Sequence, residues 1–108
     1  MPQPTPLEIE FHKDMIKIYR RAKEECGYNA TRFFQMISKN GGLRTAKSLL
    51  ATTEPSDGFT ELWRNNRLDL TVENLVLQPR FCSLFTEEEL AIARDRLIAL
   101  NFIPKSDE

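Results

Sequence analysis

The stretch RLDLTVENLVL, Arg67 to Leu77, decides the fold class of this chain. From Leu68 to Val72 every second residue is apolar, which is typical of one face of a β-strand. The three residues Leu75–Leu77 are all apolar, as in a buried helix or a core strand. The first pattern favours a sheet protein and the second allows a helical one.

Helix-start signals favour the helical interpretation. Thr71 can cap a helix by accepting the N–H of a residue two or three positions on, and Leu70 and Leu75 flank it at the spacing of a hydrophobic staple. Pro79 ends this helix. The same plan recurs with the cap residues Thr5, Asn29 and Thr86. Four helix starts with similar cap signals predict an all-α protein, without a β-ladder in residues 67–77.

A chain of 108 residues can bury one small core, so we predict one domain over residues 1–108, with an ordered core at about 5–103 and frayed ends at 1–4 and 105–108. We expect a compact single-domain bundle of five to six short helices around a long N-terminal helix. The predicted bounds are about 6–26, 30–39, 43–51, a short helix after Ser56 or Asp57, 72–78 and 87–100.

The first helix is apolar over more than half of its circumference. Its main arc is formed by Leu7, Phe11, Met15, Ile18 and Ala22. Four further residues widen the arc and are candidates for a protein interface: Ile9, His12, Ile16 and Tyr19. A central helix wrapped by the others explains this width best, since helices that are apolar all round are usually buried. The other explanation is an open flank that packs against a second copy or a partner.

A second candidate interface follows the short fourth helix, which carries Phe59, Leu62 and Trp63 on one face. Aromatic and arginine residues often anchor protein interfaces, so Trp63, Arg64 and Arg67 are candidates. In a chain this small, a single tryptophan is more often a core residue.

Charge is unevenly distributed along the chain. Residues 12–47 contain nine Lys or Arg against three acids, a net of +6, whereas the whole chain carries −1 and the remainder therefore −7. Such asymmetry is typical of a nucleic-acid face or of two complementary surfaces in a self-associating protein. Most charge runs are simply a solvated helix face.

The segment NGGLRTAKSLL, residues 40–50, resembles the second half of a helix-hairpin-helix DNA-binding element. The family pattern G-x-x-x-A-x-x-L-L is matched by Gly42, Ala46, Leu49 and Leu50. The resemblance implies that N–H groups around Gly41 to Leu43 face a phosphate, helped by Arg44 and Lys47. The candidate contacts with nucleic acid are Gly41, Gly42, Arg44, Lys47 and Lys39. The segment departs from the pattern at its start, where Asn40 replaces a glycine and Gly41 an apolar residue.

A broader likeness covers most of the chain. Five stretches are similar to a group of small bacterial all-helical proteins of unknown function: ECGYNATRFFQMI, GGLRTAKSLL, GFTELW, RLDLTVENLVL and LFTEEELAIAR. The resemblance implies a self-contained bacterial domain, and no activity comes with it.

Enzymatic chemistry has no support in the sequence. The two cysteines, Cys26 and Cys82, are far apart, and with His12 as the single histidine they offer no metal-ligand pair at useful spacing. No phosphate-binding loop, dinucleotide fingerprint or nucleophile motif is present. We therefore predict no catalytic residue, cofactor, metal or small-molecule substrate. Because there is neither a signal-peptide pattern nor a long apolar run, we expect a cytoplasmic protein without membrane contact.

Two functions remain as hypotheses. The preferred one is a non-enzymatic protein-interaction module or small accessory subunit that binds a protein partner or a second copy. The alternative is a nucleic-acid-binding accessory protein that uses the basic segment 12–47.

Overall fold

The computed structural model describes residues 5–100, which form six α-helices and two 3₁₀ turns without any strand in that range. The predicted all-α class is confirmed. The ends expected to fray, and residues 101–103 of the expected ordered core, lie outside the described residues. The helices are α1 (Pro6–Cys26), α2 (Thr31–Asn40), α3 (Gly42–Leu50), α4 (Asp57–Arg64), α5 (Val72–Val76) and α6 (Glu87–Ile98), and the 3₁₀ turns are Leu68–Leu70 and Cys82–Leu84.

Residues 67–77 form a 3₁₀ turn followed by α5, and Thr71 caps the start of α5. The Thr71 Oγ1 accepts the N–H of Asn74 at 3.1 Å and donates to the carbonyl of Leu68 at 2.7 Å, so one hydroxyl ends the 3₁₀ turn and begins α5. The expected staple between Leu70 and Leu75 is wrong. Leu70 packs in a small cluster on α1 and α4, whereas Leu75 belongs to the main core.

The substitution Thr71→Val tests this cap. We expect it to lower the free energy of unfolding by about 1–2 kcal/mol, because both partners of the 2 % exposed Thr71 hydroxyl lose their hydrogen bond. Chemical denaturation measures the loss. The matched control is Thr31→Val, at an exposed position in the first turn of α2, with an expected change within about 0.5 kcal/mol. An equal loss in both variants would contradict the role of Thr71.

The other predicted caps are confirmed except one. Thr5 accepts the N–H of Glu8, and Thr86 forms a capping box with Glu89. Asn29, however, does not cap α2: Ala30 stands at the cap position without a side-chain bond, and the Asn29 Oδ1 accepts the Tyr19 hydroxyl at 3.0 Å. The competing contact with α1 thus takes the side chain away from the helix start.

Two predicted helix ends differ from the structure by two residues, and those of α2 and α3 differ by one. Helix α5 ends at Val76 instead of Gln78, because the N–H of Gln78 bonds to the carbonyl of Leu75 in a tighter turn before Pro79. Helix α6 ends at Ile98 instead of Leu100. The end of α1 at Cys26 is confirmed, with Gly27 in the left-handed conformation at φ 70°.

The core surrounds one side of α1. Phe11 is fully buried and makes edge-to-face contacts with Phe81 and Phe85, with ring centroids 5.0 and 5.4 Å apart. Helices α2, α3 and α5 also pack against α1, while α6 packs on α3 and α5. The α1 helix is therefore covered along one arc only, which leaves the opposite arc for other contacts.

Candidate functional site

The uncovered arc of α1 carries both apolar and cationic side chains. We call it the open face of α1 and define it by Ile9, Lys13, Ile16, Lys17, Arg20 and Lys23, which lie within an arc of about 120° at 100° per residue. Ile9 is 45 % exposed and Ile16 is half-buried. None of the four cations forms an ion pair with any residue from 5 to 100.

His12 borders the open face and fixes the α2–α3 junction against α1. Its Nδ1 accepts the N–H of Gly42 at 2.9 Å, so this nitrogen carries no proton in that bond. The two backbones approach so closely that a Cβ on Gly42 would lie 2.7 Å from the His12 Cα. His12 was predicted at a protein interface and Gly42 at a nucleic-acid contact. In the structure the two residues form one structural contact with each other.

Tyr19 borders the open face on the side of α2. Its ring stacks on Phe34 at a centroid distance of 4.8 Å, and Phe34 is 38 % exposed. This stack continues the apolar part of the open face across to the neighbouring helix. A partner lying along α1 would therefore meet Ile9, Ile16 and an aromatic pair.

The residues predicted to contact nucleic acid do not form one surface. The N–H of Gly41 donates to the carbonyl of Ile37, and that of Gly42 donates to His12. Lys47 lies 2.8 Å from a Glu89 oxygen and 5.0 Å from the Phe85 ring centroid. Burial raises the pKa of Glu89, but the bonds from Lys47 and Thr86 outweigh it and leave that pKa below its usual value.

Lys39 and Arg44 complete that set, and both are exposed. Arg44 lies about 160° around α3 from Gly42, the residue that faces α1, so the two cannot belong to one face of the helix. Lys39 occupies the last turn of α2, where a cation interacts favourably with the helix dipole. Lys39 lies on α2 and Arg44 on α3, so neither is one of the residues that define the open face of α1.

The second predicted interface is divided as well. Phe59 and Leu62 are buried, whereas Trp63 is 45 % exposed and Arg64 is strongly exposed. Arg67 is held by ion pairs to Glu25 at 2.6 Å and to Asp69 at 3.1 Å. Arg67 thus fastens the 3₁₀ turn Leu68–Leu70 to the end of α1.

The acid at the end of α1 is shared by two arginines. Hydrogen bonds from Arg21 and Arg67 lower the pKa of the Glu25 carboxyl to about 2. The bonds to Asp69 and Glu25 in turn raise the pKa of Arg67. These shifts describe a structural ion-pair network, and they give Arg67 a role that does not require a partner.

A cleft of about 570 Å³ lies between α1, α2, α4 and the start of α5, and the sequence did not indicate it. Ile18 and Ala22 contribute from α1, and Leu62 connects α4 to Ala22 and Leu70. Four aromatic side chains line the cleft: Tyr19, Tyr28, Phe33 and Phe59. Burial, together with the charges of Asp57 and Glu61, raises the pKa of the Tyr28 hydroxyl.

Glu73 also lines the cleft and is almost fully buried. Burial raises the pKa of its carboxyl, and hydrogen bonds from its own backbone and from Arg96 oppose that shift. Arg96 donates to Glu73 at 2.9 Å, to the Leu49 carbonyl at 3.1 Å and to the Thr52 carbonyl at 2.7 Å. Arg96 thereby connects α6, α5 and the segment after α3.

Other chemical groups are few in the part of the chain that the structure describes. Residues 5–100 contain no group of three or more His, Cys, Asp or Glu side chains that could hold a metal ion. Cys26 and Cys82 are both half-buried and unbonded to each other. In the same range, no helix combines the length and the hydropathy that a membrane span requires.

Comparisons with known proteins add no assignment: no family model, no curated protein and no solved structure matches the chain.

Proposed function

We propose that this chain is a non-enzymatic protein-interaction module that binds an acidic segment of a partner protein along the open face of α1. The proposal rests on one observation. The open face combines the exposed Ile9 and the half-buried Ile16 with four cations that have no acid partner among residues 5–100. Apolar side chains at the centre of an interface contribute most of the affinity, and surrounding charges select the partner.

Photo-crosslinking in the cells that make the chain tests this proposal. A photoreactive residue replaces Ile9, and the control replaces Ile92 on α6, which is 37 % exposed. We expect one discrete protein adduct from position 9 and none from position 92. The adduct should disappear when the open face is reversed in charge by Lys13→Glu with Arg20→Glu.

The partner identified by mass spectrometry is then purified and titrated. The charge reversal should weaken its Kd by about tenfold or more, with a larger effect at low salt than at high salt. Adducts of equal yield from positions 9 and 92, or a Kd that the charge reversal leaves unchanged, would refute the proposal. If the crosslinked protein is a second copy of this chain, the open face mediates self-association.

Nucleic-acid binding is the second candidate, favoured by one observation. Of the nine cations in residues 12–47, only Arg21 and Lys47 form ion pairs within residues 5–100. If the chain binds duplex DNA at low salt, each phosphate contact removed should lower the salt dependence of log Kd by about one. Arg44→Ala should then weaken binding more than Lys47→Ala, because Lys47 is held by Glu89.

A further inference from the structure

The cleft between α2 and α4 has the size and lining of a ligand site. Pockets for small ligands measure about 300–1,000 Å³ and are mostly apolar with a few polar groups. This cleft measures about 570 Å³. It opens beside helix α4, which packs mainly on the 3₁₀ turn Leu68–Leu70, so α2 and α4 form facing walls without filling the space between them.

The interior of the cleft favours an apolar body with aromatic surface. Phe59 is 4 % exposed, Phe33 and Tyr28 are half-buried, and the lining residues Ile18 and Leu62 are buried. Among the described residues of the lining, Glu73 is the one charged group that is deeply buried, and it is already paired with Arg96. A ligand reaching the depth of the cleft therefore meets rings and aliphatic groups rather than an unpaired charge.

The α4 side of the cleft carries acidic residues. Glu54 precedes α4 and Asp57 begins it, and neither forms an ion pair with residues 5–100. Burial is the main cause of the raised pKa of the Tyr28 hydroxyl, and the charges of Asp57 and Glu61 add to it. Arg32 on α2 is the single cation among the described residues of the lining. The α4 wall thus complements a positive charge.

We propose that the cleft binds a small organic cation with an apolar body, its ammonium group beside Asp57 and its body between the aromatic side chains of Tyr28 and Phe59. Aromatic faces attract an ammonium group in addition to the carboxylate, and the attraction strengthens where water is excluded. This site includes none of the residues that define the open face of α1, and it needs no protein partner.

Three naphthalene compounds of nearly equal size test the proposal on the full chain: naphthylmethylamine, naphthylmethanol and naphthoate. Amide NMR spectra are recorded during each titration. We expect the amine to shift the amides of Tyr28, Gly58 and Phe59, and to bind about tenfold more tightly than naphthoate. Naphthylmethanol should bind at an intermediate strength, because it keeps the apolar body without the charge.

Asp57→Asn removes the charge without changing the shape. We expect the variant to lose most of the preference for the amine over naphthoate while naphthylmethanol binds as before. The matched control is Asp95→Asn on α6, at an exposed position outside the cleft, which should keep the full preference. Unfolding curves of both variants show that the fold is retained.

Several results would overturn the proposal. They are the absence of shifts at the cleft residues, equal affinity for the three compounds, tighter binding of naphthoate, and an amine preference that survives Asp57→Asn. Each result stands independently of the proposed interaction face, because none of the probes or variants involves α1 residues of that face.

Discussion

Arg96→Met is expected to lower the free energy of unfolding by about 3–5 kcal/mol, the typical loss when one partner of a buried ion pair is removed. The Arg96 and Glu73 side chains are 9 % and 4 % exposed. Methionine keeps much of the volume but leaves the Glu73 carboxylate and the carbonyls of Leu49 and Thr52 without their donor. Chemical denaturation at neutral pH measures the change.

The pH dependence of that loss identifies its cause. Burial already raises the pKa of Glu73 against the opposing bond from Arg96, so without Arg96 the pKa should be higher still. A raised carboxyl pKa means that the folded state binds the proton more tightly than the unfolded state, and stability then increases as the pH falls through the folded-state pKa. The deficit of Arg96→Met should therefore shrink between neutral pH and the ordinary glutamate value of 4.5.

Two controls separate the ion pair from a general effect of substitution on α6. Arg94→Met changes an exposed arginine of the same helix, and stability should stay within about 0.5 kcal/mol of the parent. Replacing both Glu73 and Arg96 by methionine should restore most of the loss, because a buried pair exchanged for apolar groups is often neutral. If Arg94→Met and Arg96→Met cost the same, Arg96 does not connect these elements.

The helices could be predicted from sequence because their starting signals are local. Thr71 and Thr86 each cap an N–H only three residues away, so the required partners are adjacent in the chain. The prediction at Asn29 is wrong because its partner, the Tyr19 hydroxyl, lies ten residues back on another helix. Similarly, Arg96 and Glu73 are twenty-three residues apart, and no sequence spacing indicates their contact.

The candidate sites could be predicted less well from the sequence, because they are surfaces and spaces that remain uncovered when the helices pack. The apolar width of α1 favours a helix wrapped by the others, but Ile9 is 45 % exposed, so part of this arc is uncovered. Trp63 could not be assigned from periodicity, since Leu62 beside it is buried and Trp63 is exposed. The cleft is a space between α2 and α4, which no residue pattern within either helix encodes.

The close approach of the α3 backbone to α1 at Gly42 predicts the second large effect. Gly42→Ala would place a Cβ 2.7 Å from the His12 Cα and 3.3 Å from the Met15 Cγ. Alanine favours a helix over glycine by about 1 kcal/mol, but here α1 and α3 must move apart to admit it. We expect a net loss of about 1–3 kcal/mol in the free energy of unfolding, as for overpacked sites, together with a weakened Gly42–His12 hydrogen bond.

Gly58→Ala is the matched control, because Gly58 also lies within a helix but has space around it. The nearest atom to its added Cβ would be the Tyr28 Cε2 at 3.6 Å, an ordinary contact. This substitution should raise the free energy of unfolding by about 0.4–1 kcal/mol. The two glycine variants should thus change stability in opposite directions under the same denaturant. Equal or increased stability of Gly42→Ala would contradict the close approach of α1 and α3, and with it the bond that keeps the Gly42 N–H from reaching a phosphate.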